Sequence, residues 1–180
     1  MSDDTPHLNT RLAVRRDVKK MTEIYNEAVS SSTATFDTEL KTEEERLTWF
    51  MSHDAKHPIM VAERLGTVVA WAALSEWSDR QAYSETAESS IYVQEEFRGQ
   101  GIGRRLKEAI LEEGCRVGLH TIIARVAEGN DISLHLNESL GFRHVGVMMP
   151  VGRKFGRLLD VHLMQKIYSS EKKAAESGKE

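Results

Sequence analysis

The chain has 180 residues, 40% of them hydrophobic and 29% charged, with a formal net charge of −4. That balance describes one ordinary globular domain, large enough to bury a core without metal or disulfide staples, and its acidic sign argues against a general nucleic-acid role, which needs a basic footprint. The lone cysteine, Cys115, excludes an intramolecular disulfide and reads as a structural thiol in a reducing, cytoplasmic setting.

No run approaches the roughly eighteen apolar residues of a membrane span, and the polar start from Met1 to Pro6 has no signal-peptide core, so no membrane partner is expected. Residues 1–9 lack apolar periodicity and are expected to be flexible. The same holds for the charged tail, 169–180, leaving a single domain over 10–168 with no repeat and no linker.

In chain order, a first strand is expected near Arg11 to Val14. Val18, Met21, Ile24, Tyr25, Ala28 and Val29 then mark one face of a helix. Thr42 and Glu45 have capping-box spacing ahead of a second helix carrying Leu47 and Phe50. Strands follow at Ile59 to Glu63, at Val68 to Leu74 after a turn at Gly66, and at Glu88 to Val93. A helix after the glycines at 99–103, a β-rich strand from Thr121 to Val126, a helix from Ile132 to Leu140, and strands at Phe142 to Met148 and Leu158 to Ile167 complete a mixed α/β pattern.

The most informative stretch lies in the middle. Ser90-Ile91-Tyr92-Val93 reads as a strand, and Arg98-Gly99-Gln100-Gly101-Ile102-Gly103 opens an amphipathic helix with Leu106, Ala109, Ile110 and Val117 at helical spacing. Glycines at alternate positions let the backbone approach a ligand closely, and the first helical turn adds free N–H groups and a partial positive charge, so this order of parts suits a pyrophosphate. Arg98, Arg104 and Arg105 share that sign. A dinucleotide fingerprint is excluded because Leu106 stands where the third glycine belongs. A P-loop is excluded because Gly-Lys-Ser/Thr is missing. On the loop alone, a tight turn whose glycines serve packing is an equal alternative.

Arg98-x-x-Gly101-x-Gly103 after a strand ending at Val93 resembles the pantetheine-pyrophosphate loop of the GNAT family of N-acetyltransferases, and Asn130-x-x-Ser133 with Leu140-Gly141-Phe142 resembles that family's later segment. Ile24-Tyr25-Asn26 with Ser32 to Phe36, Thr86 to Ser89, and Lys154 to Arg157 before Leu159-Asp160-Val161 are similar to the phosphinothricin and methionine sulfoximine branch. The resemblance covers Arg11 to Tyr168. It implies the acyl-CoA N-acyltransferase fold, a mixed and mostly antiparallel central sheet with flanking helices, and acetyl-CoA as donor to a small-molecule amine.

By the same resemblance Ile91, Tyr92, Val93, Arg98, Gly99, Gln100, Gly101, Ile102, Gly103, Arg104, Asn130, Ser133 and Asn137 are expected to contact the cofactor. Glu88 matches the branch's general base, a role worth roughly 10² to 10⁴ in rate. The Val93 N–H is expected to bond the thioester carbonyl where two strands splay. Asn137 stands where relatives carry a tyrosine or histidine, and an amide cannot act as a general acid, so the donor of a proton to the departing thiolate is left open. Phe36, Arg80, Tyr83, Ser90 and Lys154, with Glu88, match the acceptor pocket; for each the alternative is core packing or a solvated charge.

No nucleophile suited to an acyl-enzyme is evident, so direct transfer within a ternary complex is expected. No metal is assigned, because Pro58 disfavours helical geometry at His57 in the His53/His57 pair. The resemblance further implies a homodimer. Acetylation of another amine, such as a protein N-terminus or a polyamine, and a non-catalytic acyl-CoA sensor are the alternatives.

Overall fold

The computed structural model describes residues 8–168, so the expectations for 1–7 and 169–180 lie outside the described residues. Seven strands form one sheet: β1 (Leu8–Leu12), β2 (Ile59–Arg64), β3 (Thr67–Glu76), β4 (Thr86–Val93), β5 (Thr121–Ala127), β6 (Arg143–Lys154) and β7 (Arg157–Ile167). The order across it is β1-β2-β3-β4-β5-β7-β6, antiparallel at every pairing except β4 with β5. This is the mixed, mostly antiparallel sheet expected. The first strand lies earlier than the sequence pattern predicts, because its pairing with β2, Leu8 opposite Arg64 through Leu12 opposite Met60, sets its extent.

Strand alternation divides the core in two. Val61, Trp71 and Ala73 face α1 (Val18–Ser31), whose buried stripe is the predicted Val18, Met21, Ile24, Tyr25, Ala28 and Val29, and the indole N–H of Trp71 donates to Met21 O at 3.0 Å. Ala62, Ala70, Ala72 and Leu74 face α3 (Ile102–Arg116) through Leu106, Ile110 and Leu111. Helix α2 (Glu43–Met51) starts on the predicted capping box: Thr42 Oγ1 accepts from Glu45 N, and the Glu45 carboxylate accepts from Thr42 N. The short α4 (Asp131–Ser139) is capped by Asn130, whose side-chain oxygen accepts from Ser133 N.

The parallel β4–β5 ladder runs only from Thr86 opposite Thr121 to Glu88 opposite Ile123, although β4 continues to Val93 and β5 to Ala127. Beyond Glu88 and Ile123 the two strands part and leave a fork.

Candidate active site

The fork opens into a cleft of about 700 Å³. Its walls are Ile91, Tyr92 and Val93 of β4, Ser31 to Ala34 at the end of α1, Phe97 to Gly99, Gly101, Gly103 and Arg104 leading into α3, and Gly129, Asn130, Ile132, Ser133 and Leu136 around α4. Phe155, from the β6–β7 turn, completes the rim.

Backbone geometry supplies most of the polar groups. Gly99 and Gly101 have φ of 74° and 77°, a left-handed conformation that an L side chain resists, and Gly101 is the N-cap of α3. The first helical bond is donated by Arg105 N to Gly101 O, so the N–H groups just ahead of Arg105 have no partner within the helix and are available to an anion. Gly103 differs: a Cβ there would meet Val93 Cγ2 at an ordinary contact distance of 3.5 Å, so its bare Cα leaves open space between loop and strand rather than relieving a clash. These features fit a pyrophosphate bound at the helix start. Arg98 stands beside them, its Nε donating to Val93 O and its guanidinium paired with Glu27.

The β4 backbone provides a second set of donors. Gln94 N donates to Val69 O, and with the β3–β4 register this assigns even-numbered residues to the β3 ladder. The N–H groups of Ile91 and Val93 therefore face the fork, where β5 no longer reaches them.

Glu88 sits at the root of the fork on the opposite sheet face from Ser89. Its carboxylate is held bidentately by Arg125 of β5, with both N···O distances at 2.6 Å. Arg125 is half exposed, so this pair bridges β4 and β5 at the solvent side and opens at little cost, on the order of 0 to 1 kcal/mol. Nothing in the local sequence of Arg125 marks it, because only the β4–β5 register brings position 125 near position 88.

The other expected residues divide into those the fold gathers and those it keeps apart. Lys154 is buried, its Nζ donating to Thr35 O at 2.7 Å and lying 5.2 Å above the Phe155 ring, and burial pulls its ammonium below the usual lysine range. Phe36, next to Thr35, covers Gly152 so closely that a Cβ there would fall 2.2 Å from its ring. Tyr25 fixes the same loop: its hydroxyl is hydrogen-bonded to Thr35 Oγ1 and donates to Asp37. Ser90 is half-buried on β4.

Arg80 and Tyr83 lie on the exposed segment after β3 and, like Phe36, Glu88, Ser90 and Lys154, are not among the residues lining the cleft. Gln100 and Ile102 also point elsewhere. Gln100 accepts from Arg64 on the surface, and Ile102 is a core residue because the first turn of α3 aims it at the sheet. Asn137 is buried beneath the cleft wall, its Nδ2 donating to Ser133 O, so cofactor contact by its side chain requires a rearrangement of α4.

Two apolar rim residues, Ile132 at 85% exposure and Phe155 at 59%, were not singled out by sequence reasoning. Their signal is visible only in three dimensions, as large hydrophobes left open beside a phosphate cradle. Among the described residues no group of three or more His, Cys, Asp and Glu is arranged to hold a metal, and no helix is long and apolar enough to cross a membrane.

Known proteins share this arrangement over nearly the whole chain. A phosphinothricin N-acetyltransferase of Streptomyces coelicolor is 36% identical across 87% of this chain and 94% of its own length. The L-methionine sulfoximine/L-methionine sulfone acetyltransferase of Salmonella typhimurium is 34% identical across 88% and 93%. The Salmonella typhimurium protein yncA, solved with acetyl-CoA as its cofactor, superposes with a TM-score of 0.87 at 33% identity, covering 91% of this chain and 95% of that one. The family model for the acetyltransferase (GNAT) family matches residues 21–142, and with the forked sheet and the glycine cradle this shows that the chain belongs to the GNAT family and is an N-acetyltransferase.

Proposed function

We propose that the protein transfers an acetyl group from acetyl-CoA to the α-amino group of a small amino-acid-like acceptor of the phosphinothricin or methionine sulfoximine type, by direct attack in a ternary complex. The observation that carries this reading is the placement of a carboxylate, Glu88, at the root of the fork into which the Ile91 and Val93 N–H groups point. The naming of two relatives at 34% and 36% identity supports the acceptor class.

Acetyl-CoA supplies the acetyl group as an activated thioester. The cradle residues Arg98, Gly99, Gly101, Gly103 and Arg104 hold its pyrophosphate, while the apolar rim at Ile132 and Phe155 covers less polar parts. The Val93 N–H holds the acetyl oxygen, a preorganised donor worth on the order of 3 kcal/mol. Glu88 accepts the proton that the acceptor's ammonium must lose, after one carboxylate oxygen is released by Arg125. Lys154 and Phe36 shape the acceptor end, and Arg80 and Tyr83 join it where a neighbouring copy or a loop movement brings them in.

The edge strand β6 supports a homodimer: Val145, Val147, Met149 and Val151 are all exposed on it, an apolar row that sheet edges normally avoid. The setting proposed is the cytoplasm.

The test is acetyl-CoA consumption with phosphinothricin, methionine sulfoximine, methionine sulfone and a panel of ordinary amines and peptides, beside Glu88→Gln. Selective turnover of the glutamate-like compounds, falling by roughly 10² to 10⁴ in the variant, is expected. Turnover of peptides or polyamines alone would replace the acceptor class, and an unimpaired Glu88→Gln would remove the base.

A further inference from the structure

Lys107 is an anomaly of α3. It lies on the helix face turned to the sheet, 2% exposed, in a stripe otherwise made of Leu106, Ile110 and Leu111. A lysine rarely sits there unless a partner compensates its lost hydration. Its Nζ donates to Ser89 Oγ at 2.8 Å, and that hydroxyl donates onward to Ile123 O at 3.2 Å. The Phe142 ring lies 5.2 Å from the amine.

The position of this relay is specific. Ile123 is the last β5 residue in the parallel ladder, and Ser89 is the first β4 residue beyond it. The relay therefore crosses from α3 through β4 to β5 at the point where the strands part. On the other face of the sheet, Arg125 and Glu88 bridge the same strands at the same level. Because the solvent-side pair opens at little cost, the buried relay is the tie that persists where pairing ends, and so bears on how far the Ile91 and Val93 N–H groups stand from β5.

We propose that Lys107 is a positioning residue for acetyl transfer, which through Ser89 sets the opening point of the β4–β5 fork and so aligns the Ile91 and Val93 backbone donors. It touches neither donor nor acceptor; it acts through the strand. Burial pulls the amine down to about 7, against the opposing field of Glu88, which favours the uncharged form, itself able to donate to Ser89. The proposal rests on the acetyl-CoA reading of the cleft but is independent of which amine accepts.

The decisive experiment compares Lys107→Met and Ser89→Ala with Ile110→Val, a buried change on the same helix that costs stability without touching the relay. Three readouts are needed: kcat with whichever acceptor the wild type turns over, coenzyme A affinity by calorimetry, and amide exchange of peptides spanning 86–93 and 121–127. Each relay variant is expected to lower kcat about tenfold, since small misplacements of reacting groups are costly, with coenzyme A affinity kept within about twofold. The double variant should be no worse than either single one, because both remove the same relay. Exchange should quicken in those two peptides, a change that needs no acceptor to be seen.

Unchanged kcat and unchanged exchange in either folded variant would overturn the proposal. So would losses of kcat and affinity that track the melting temperature as they do for Ile110→Val. Should Lys107→Met fail to fold, Ser89→Ala carries the same test.

Discussion

The two ends of the cleft are built from different materials. The donor end is backbone: left-handed glycines at 99 and 101, the free first turn of α3, and the unpaired N–H groups of β4. The end proposed for the acceptor is drawn from distant segments: Lys154 on the Thr35 carbonyl, Phe36 over Gly152, Glu88 with Arg125. A cradle for a common cofactor can be written in consecutive residues, since it needs only chain direction and permissive φ values. A pocket for a particular amine has to be assembled by tertiary contact, and it can change without disturbing the cradle.

The largest effect is expected at the joint between the two ends, where Lys107 lies, and it is an effect on stability. Its folded-state pKa is depressed, from 10.5 to about 7, so between those values the unfolded chain binds more protons than the folded one. Stability contributed at this site is complete above the unfolded pKa, is lost as pH falls towards 7, and changes no further below it. At its steepest the slope is about 1.4 kcal/mol per pH unit. The raised pKa values of Tyr92 and Tyr168, set chiefly by burial, act in the opposite sense above pH 10 but are shared by wild type and Lys107→Met. Melting temperatures of the two proteins from pH 7 to 10 should therefore diverge, the wild type gaining on the variant as pH rises. Parallel curves would show that the amine is as easily protonated in the fold as in water.

A smaller and more local effect is expected at the acceptor end. Gly152→Ala puts a methyl 2.2 Å from the Phe36 ring, and because the contact is with a ring rather than a flexible chain end, the loop carrying Thr35 and Phe36 must move. Overpacking of this kind costs roughly 1 to 3 kcal/mol. The acceptor KM should rise about tenfold or more while the acetyl-CoA KM stays within about twofold. A rise in both would show that the two ends are not separable.

How much of this was legible in the sequence follows the same division. The four α-helices and seven strands are legible, because amphipathic periods and the Thr42 capping box are local signals, but the three 3-10 turns are not, and β6 runs to Lys154 rather than ending at Met148. The left-handed glycines ahead of α3 are legible for the same reason. Neither Arg125 nor Lys107 is: one acquires meaning from the β4–β5 register, the other from which stripe of α3 faces the sheet. Motif matching names positions but not which part of a residue faces the cleft. For Ile102 and Gln100 it does not say that the side chains turn away, the first to the core and the second to Arg64 on the surface, so that a contact with the cofactor falls to their backbone. Spacing from Asn130 likewise puts Asn137 on α4 but does not say that its Nδ2 donates to Ser133 O while its Oδ1 is left without a partner.

The smallest expected effect probes the donor end and asks whether the backbone there is chosen for its own conformation or for the room it leaves. Gly101 has open space around a would-be Cβ, so Gly101→Ala meets no protein atom and its cost is conformational alone, about 1 kcal/mol for holding an alanine at φ of 77°. That corresponds to roughly a fivefold rise in the acetyl-CoA KM, with the acceptor KM unmoved. Gly103 poses the converse case: its φ is not among the positive ones, and the added methyl would rest against Val93 at an ordinary 3.5 Å. The protein alone therefore tolerates Gly103→Ala. If that variant keeps its melting temperature yet loses acetyl-CoA affinity more steeply than Gly101→Ala, the missing side chain at 103 is space reserved for the ligand. Equal, slight losses at both positions would mean instead that the glycines serve the turn, and the cradle's specificity would then rest on the arginines and the helix start.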